Sequence, residues 1–169
     1  MTPTPPPRHR LAAALWTLVV PVGISLAGLA LTLSWRDRLP DPIVTHWGPT
    51  GADGFGTLTP HVVAPLAVMV PAFSIFCWAF ATFGPRGGAP RRSLSACAVG
   101  FSILITGVFV GGLAIQLDLE DAALTGDVGG PTVLSLFAAI AGAGIAAWLT
   151  PGSGPTTAKP GPATPGGSD

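Results

Sequence analysis

LAAALWTLVVPVGISLAGLALTL, residues 11–33, sets the architecture of this chain: its 23 positions carry no formal charge. As a helix rising 1.5 Å per residue this segment reaches about 34 Å, enough to cross a hydrocarbon layer of roughly 30 Å. A secretory signal has an apolar region of only about 7–15 residues, so a retained span is expected rather than cleavage after Ser25-Leu26-Ala27.

Three further apolar runs follow, at 62–83, 94–117 and 132–150, with 22, 24 and 19 residues. None of the four runs contains Asp, Glu, Lys, Arg or His. Composition agrees. The 169 residues are 49% hydrophobic and 9% charged, where a soluble domain carries about 25% charged residues. Eight Lys+Arg balance eight Asp+Glu, and no basic stripe supports nucleic-acid binding. The expected fold is therefore all-α: an integral-membrane four-helix bundle spanning 11–150, with the lipid bilayer as solvent. The Pro-rich residues 1–10 and the Pro/Gly/Thr/Ser-rich residues 151–169 are expected to be disordered cytoplasmic termini.

Orientation follows from the basic residues. With the N-terminus inside, Arg8, Arg10, Arg86, Arg91, Arg92 and Lys159 are cytoplasmic and only Arg36 and Arg38 lie outside, six against two. Trp16, Trp78 and Trp148 then sit near the inner ends of three spans and Trp35 at the outer end of the first, as interfacial indoles prefer. This predicts a multi-pass plasma-membrane protein with both termini cytoplasmic.

The absence of ionisable groups inside the runs argues against a proton-coupled pump. Gly107 and Gly111 form a GxxxG pair, and Ala138 and Gly142 a small-xxx-small pair; both predict close packing of spans three and four within the chain. Pro21, Pro65 and Pro71 are expected to bend spans one and two. Cys77 and Cys97 fall in apolar runs and read as small hydrophobes rather than a metal or redox pair. No cofactor is expected.

The connecting segment 34–60 carries the distinctive chemistry. It includes LPDPIVTHWGPTGADGFGT, residues 39–57. Pro40 and Pro42 restrict the backbone, Gly48, Gly51, Gly54 and Gly56 permit unusual φ, and Asp53-Gly54 is a turn signal. A rigid extracytoplasmic loop is predicted, with Ile43, Trp47 and Phe55 pinning it to the membrane surface. His46 and Asp53 are expected to pair, which would set the imidazole tautomer and lock the loop. A metal site built from Asp41, His46, Asp53 and His61 has suitable donors for zinc but follows no recognised spacing. GxSxG is absent, which disfavours a hydrolase.

The order Leu39-Pro40-Asp41-Pro42-Ile43, Thr45-His46-Trp47, Gly51 and Asp53-Gly54 resembles the signature of bacterial membrane proteins in domain-of-unknown-function family 1648. In that family it likewise lies between a first and a second membrane helix. The resemblance covers roughly residues 14–83. It extends to the N-terminal part of SdpI-type proteins, some of which confer immunity to a secreted killing factor and signal to a repressor. It implies a non-enzymatic bacterial membrane protein that senses, protects or binds an extracellular peptide or protein through Pro40, Asp41, Pro42, His46, Trp47, Gly51, Asp53 and Gly54. A metal-binding membrane protein and an accessory subunit of a larger membrane complex are the alternatives.

Overall fold

The computed structural model describes residues 7–84 and 91–151. The disorder expected of residues 1–10 and 151–169 falls outside the described residues except at its inner edges; residues 7–10 are not disordered but belong to the helix Pro7–Ala14 that leads into the first span. Four helices are long and apolar enough to cross a membrane: α1 (Leu11–Ser34), α2 (Leu58–Phe83), α3 (Arg91–Ala114) and α4 (Gly129–Leu149). They run alternately up and down. The boundaries differ from the hydropathy runs. α2 begins four residues before Val62 and so takes in His61, while α3 begins at Arg91 and ends at Ala114, leaving Gln116 and Leu117 in a turn.

The all-α expectation needs one correction. The connection between α1 and α2 is an antiparallel β-hairpin of β1 (Ile43–Gly48) and β2 (Gly51–Gly56). Ile43, Val44, Thr45 and Trp47 supply the β-branched and aromatic side chains that favour strands. The reversal is made by Pro49 and Thr50, between the paired Gly48 and Gly51, and Gly51 takes a φ of +118°. Asp53-Gly54, read as a turn, instead lies inside β2, where the register shifts between the His46 and Trp47 pairings. Ile43 is also placed differently from expectation: it is buried in protein rather than set on the membrane surface.

Inside the helices the usual distribution of side chains is inverted. The buried positions of α1 are Ala13, Thr17, Pro21, Ser25, Gly28 and Thr32, a stripe of small and polar residues at three- and four-residue steps. Leu134, Phe137, Ile140 and Trp148 of α4 are exposed. Lipid tails are as apolar as leucine, so burial of large side chains gives no advantage there; close packing and interhelical hydrogen bonds associate the helices instead. Among the described residues, a conventional apolar core forms beneath the hairpin, from Ile43, Val62, Leu66 and Leu113, with Leu29, Trp35 and Phe109 packed around it.

The prolines act through wide turns. Five residues of α1 (Leu15–Val19) and six of α2 (Ala64–Met69) form π-helical segments just before Pro21 and Pro71. In the second, the Val70 N–H reaches Pro65 O, a five-residue step. The next carbonyl, Leu66 O, would take its bond from Pro71, which has no N–H. The Ser25 hydroxyl from α1 donates to it instead. Likewise Ser102 of α3 donates to the Pro21 carbonyl at 2.7 Å. Neighbouring hydroxyls thus bond carbonyls at the distorted turns.

α1, α2 and α3 surround one another, and α4 lies mainly on α3. The small residues explain that contact. A Cβ on Gly107 would stand 2.5 Å from Ser135 Oγ, one on Gly111 would stand 2.6 Å from Pro131 Cβ, and one on Gly142 would stand 2.2 Å from Ile103 Cδ1. The GxxxG pair therefore packs within the chain. At the end opposite the hairpin, Arg92 donates to Thr150 O at 3.0 Å and Arg91 to Ala81 O, placing cations at the C-terminal ends of α4 and α2.

Candidate functional site

The hairpin stands on the bundle through three braces. The first is Gln116, fully buried between the end of α3 and β1. Its Oε1 accepts from Val44 N–H at 2.7 Å, and its Nε2 donates to Val44 O at 3.1 Å and to Gly112 O at 2.8 Å. Val44 is itself fully buried, so the amide completes both of its backbone groups away from water. The second brace is Trp47, whose indole N–H donates to Gly126 O at 3.1 Å. The third is Arg38, forked onto Asp118 at 3.0 Å through Nε and 2.5 Å through Nη2, while Asp118 N–H donates to Arg38 O at 2.8 Å. Hydrogen bonding and charge from Asp118 hold the Arg38 guanidinium above its ordinary value, and the guanidinium's hydrogen bonds hold the Asp118 carboxyl below the usual carboxylate range.

On this platform His46 and Asp53 meet across the two strands, Nδ1 to Oδ1 at 2.6 Å. A carboxylate only accepts, so Nδ1 carries the proton and a neutral ring presents Nε2 as an acceptor. Both side chains are open to solvent, at 71% and 49% exposure. Two glycines make room for the pair. A Cβ on Gly54 would lie 2.7 Å from His46 Cβ, and one on Gly48 would lie 2.1 Å from Asp53 Oδ2.

Of the residues read from the sequence, His46 and Trp47 sit on β1, and Gly51, Asp53 and Gly54 on β2. Pro40, Asp41 and Pro42 form the entry to β1. Asp41 is exposed, with no side-chain hydrogen bond among the described residues. No group of three His, Cys, Asp or Glu close enough to hold a metal occurs among the described residues, so Asp41 and His61 do not complete a donor set with His46 and Asp53. Cys77 is buried and Cys97 exposed, and both thiols are free.

Between the hairpin and the adjoining ends of α2, α3 and α4 lies a cavity of about 210 Å³. Trp47 and His46 border it from β1, His61 from α2, Phe109 and Gly112 from α3, and Thr132 from α4. His61 packs against Phe109 with ring centroids 4.9 Å apart. Sequence reasoning missed this cavity and Gln116, and it read Gly48 for backbone freedom, whereas its role is the space it leaves for Asp53. The one legible sign was Gln116 itself, the amide near the end of a 24-residue run without formal charge. Comparisons with protein-family models, curated proteins and solved structures find no match to this chain.

Proposed function

We propose that this chain is a multi-pass bacterial plasma-membrane protein that senses, protects against or binds an extracellular ligand through the hairpin, without catalysis. Both termini lie in the cytoplasm and the hairpin faces out. The six-to-two distribution of basic residues supports this orientation, as do Arg91 and Arg92 at the end opposite the hairpin. The resemblance to domain-of-unknown-function family 1648 and SdpI-type proteins supports a role in sensing or immunity.

The observation that carries the reading is the exposure of the His46–Asp53 pair. A pair whose task is to hold the loop together would be most effective when buried, and that task already falls to Gln116, Trp47 and Arg38. The exposed hydrogen bond between them adds little stability. It does present a fixed imidazole and carboxylate to whatever approaches the platform.

Two measurements test the proposal. In a chain with Cys77 and Cys97 replaced by Ser, a Thr50→Cys label site should react with a membrane-impermeant maleimide on intact cells. Labelling only after lysis overturns the orientation. Cells lacking the chain should survive conditioned medium from their own strain less well. Wild type should restore survival, and His46→Ala or Asp53→Ala at equal membrane level should not. Full rescue by both variants overturns the hairpin's role.

A further inference from the structure

The cavity under the hairpin has walls that specify a kind of ligand. Its volume, about 210 Å³, leaves room for a small organic group, and the cleft is open on one side. Its walls are braced from several sides: Trp47 is tied to Gly126, His61 rests on Phe109, and Thr132 Oγ1 donates to Val128 O. No Lys or Arg borders it, and its polar groups are two imidazoles and two threonine hydroxyls. Two aromatic residues, Trp47 and Phe109, form part of the lining.

The surroundings favour one sign of charge. The segments 35–57 and 115–128 at this end hold seven Asp and Glu against two Arg, a balance of −5. Electronegative surroundings concentrate cations, and aromatic walls attract an organic cation that has shed part of its water. An anion would find no cationic side chain on the walls. A fully hydrated metal ion would find no set of three donors.

We infer that this cavity binds a small alkylammonium group, of the size of choline or ethanolamine, against Trp47 and Phe109. The inference rests on the hairpin end being a binding surface and names the chemistry it accepts. The ammonium comes either from a free amine or from the headgroup of a lipid in the surrounding bilayer.

Calorimetric titration of the detergent-purified full chain with choline tests it. Saturable binding is expected, weakened at high salt, with 3,3-dimethylbutan-1-ol, the uncharged isostere, binding at least tenfold more weakly. Val108→Phe, which adds volume at the cavity wall, should weaken choline binding at least tenfold. Phe109→Leu keeps an apolar side chain but removes the ring, and should do the same, so the test survives if either variant fails to fold. Equal binding of the alcohol, no saturable heat, or wild-type affinity in both folded variants overturns the inference. In nanodiscs, weaker choline binding in phosphatidylcholine than in uncharged galactolipid assigns the site to lipid headgroups; equal binding assigns it to free amines. Failure of choline binding with the predicted loss of protection in His46→Ala cells removes this inference and leaves the proposed function standing.

Discussion

Gln116 shows how much one side chain can organise. Its amide occupies the place of a third strand beside Val44, bonding that residue's N–H and C=O where no water reaches. Gln116→Leu keeps the bulk and removes every bond. A buried unsatisfied donor or acceptor costs about 1–3 kcal/mol, so a loss of about 3 kcal/mol is expected in reversible unfolding in mixed micelles. Gln116→Glu, which still accepts from Val44 N–H, should behave differently from Gln116→Leu, and equal stability of wild type and Gln116→Leu would show the amide is dispensable. The residue was visible in the sequence as an amide near the end of an uncharged run, but its partner is 72 positions away. Gly48 and Gly54 carried no local sign of their purpose, because the space they leave exists only after the strands pair.

Among the elements, α2 and the loop braces answer different questions. The wide turn before Pro71 leaves Leu66 O to the hydroxyl of Ser25. Ser25→Ala should cost about 0.6 kcal/mol, the average for such bonds in membrane bundles. Pro71→Ala restores a main-chain N–H to the helix, so the further cost of Ser25→Ala should shrink in that background. A double-mutant cycle measures this, and strict additivity would show that Ser25 does not serve the proline's carbonyl. At the loops, Asp118 has its carboxyl lowered by Arg38. Its contribution to stability is present above the ordinary carboxylate value and is lost as pH falls through the lowered one. Unfolding midpoints followed to low pH should show an acid limb that flattens in Asp118→Asn. An unchanged limb would assign acid sensitivity elsewhere. Both groups are largely exposed, so the effect is small and should fade with salt.

For the whole molecule, the attachment of α4 is the feature most open to change, since it lies mainly on α3 through small residues. Cysteines at Gly100 and Ala143, in a background lacking Cys77 and Cys97, should cross-link, because a Cβ on Gly100 would lie 3.1 Å from that of Ala143. Adding Gly107→Leu, which drives a side chain into Ser135, should reduce cross-linking severalfold while the hairpin braces persist. Cross-linking at the original rate would show that the helices slide past the clash.

The amino-acid sequence by itself determined the number of membrane-length helices, the place of the loop that joins the first two and the identity of its His46–Asp53 pair. Hydropathy is a property each residue carries locally and sums along a run, so a span is legible without its neighbours. Tertiary structure alone decided that the loop is a hairpin, because GADGFG in β2 has little intrinsic tendency to extend and takes its conformation from pairing with β1. It also decided which face of each helix turns inward and that a cavity remains beneath Trp47. Those outcomes depend on bonds such as Gln116 to Val44 and Ser25 to Leu66, between residues far apart in the chain, where no local pattern records the partner.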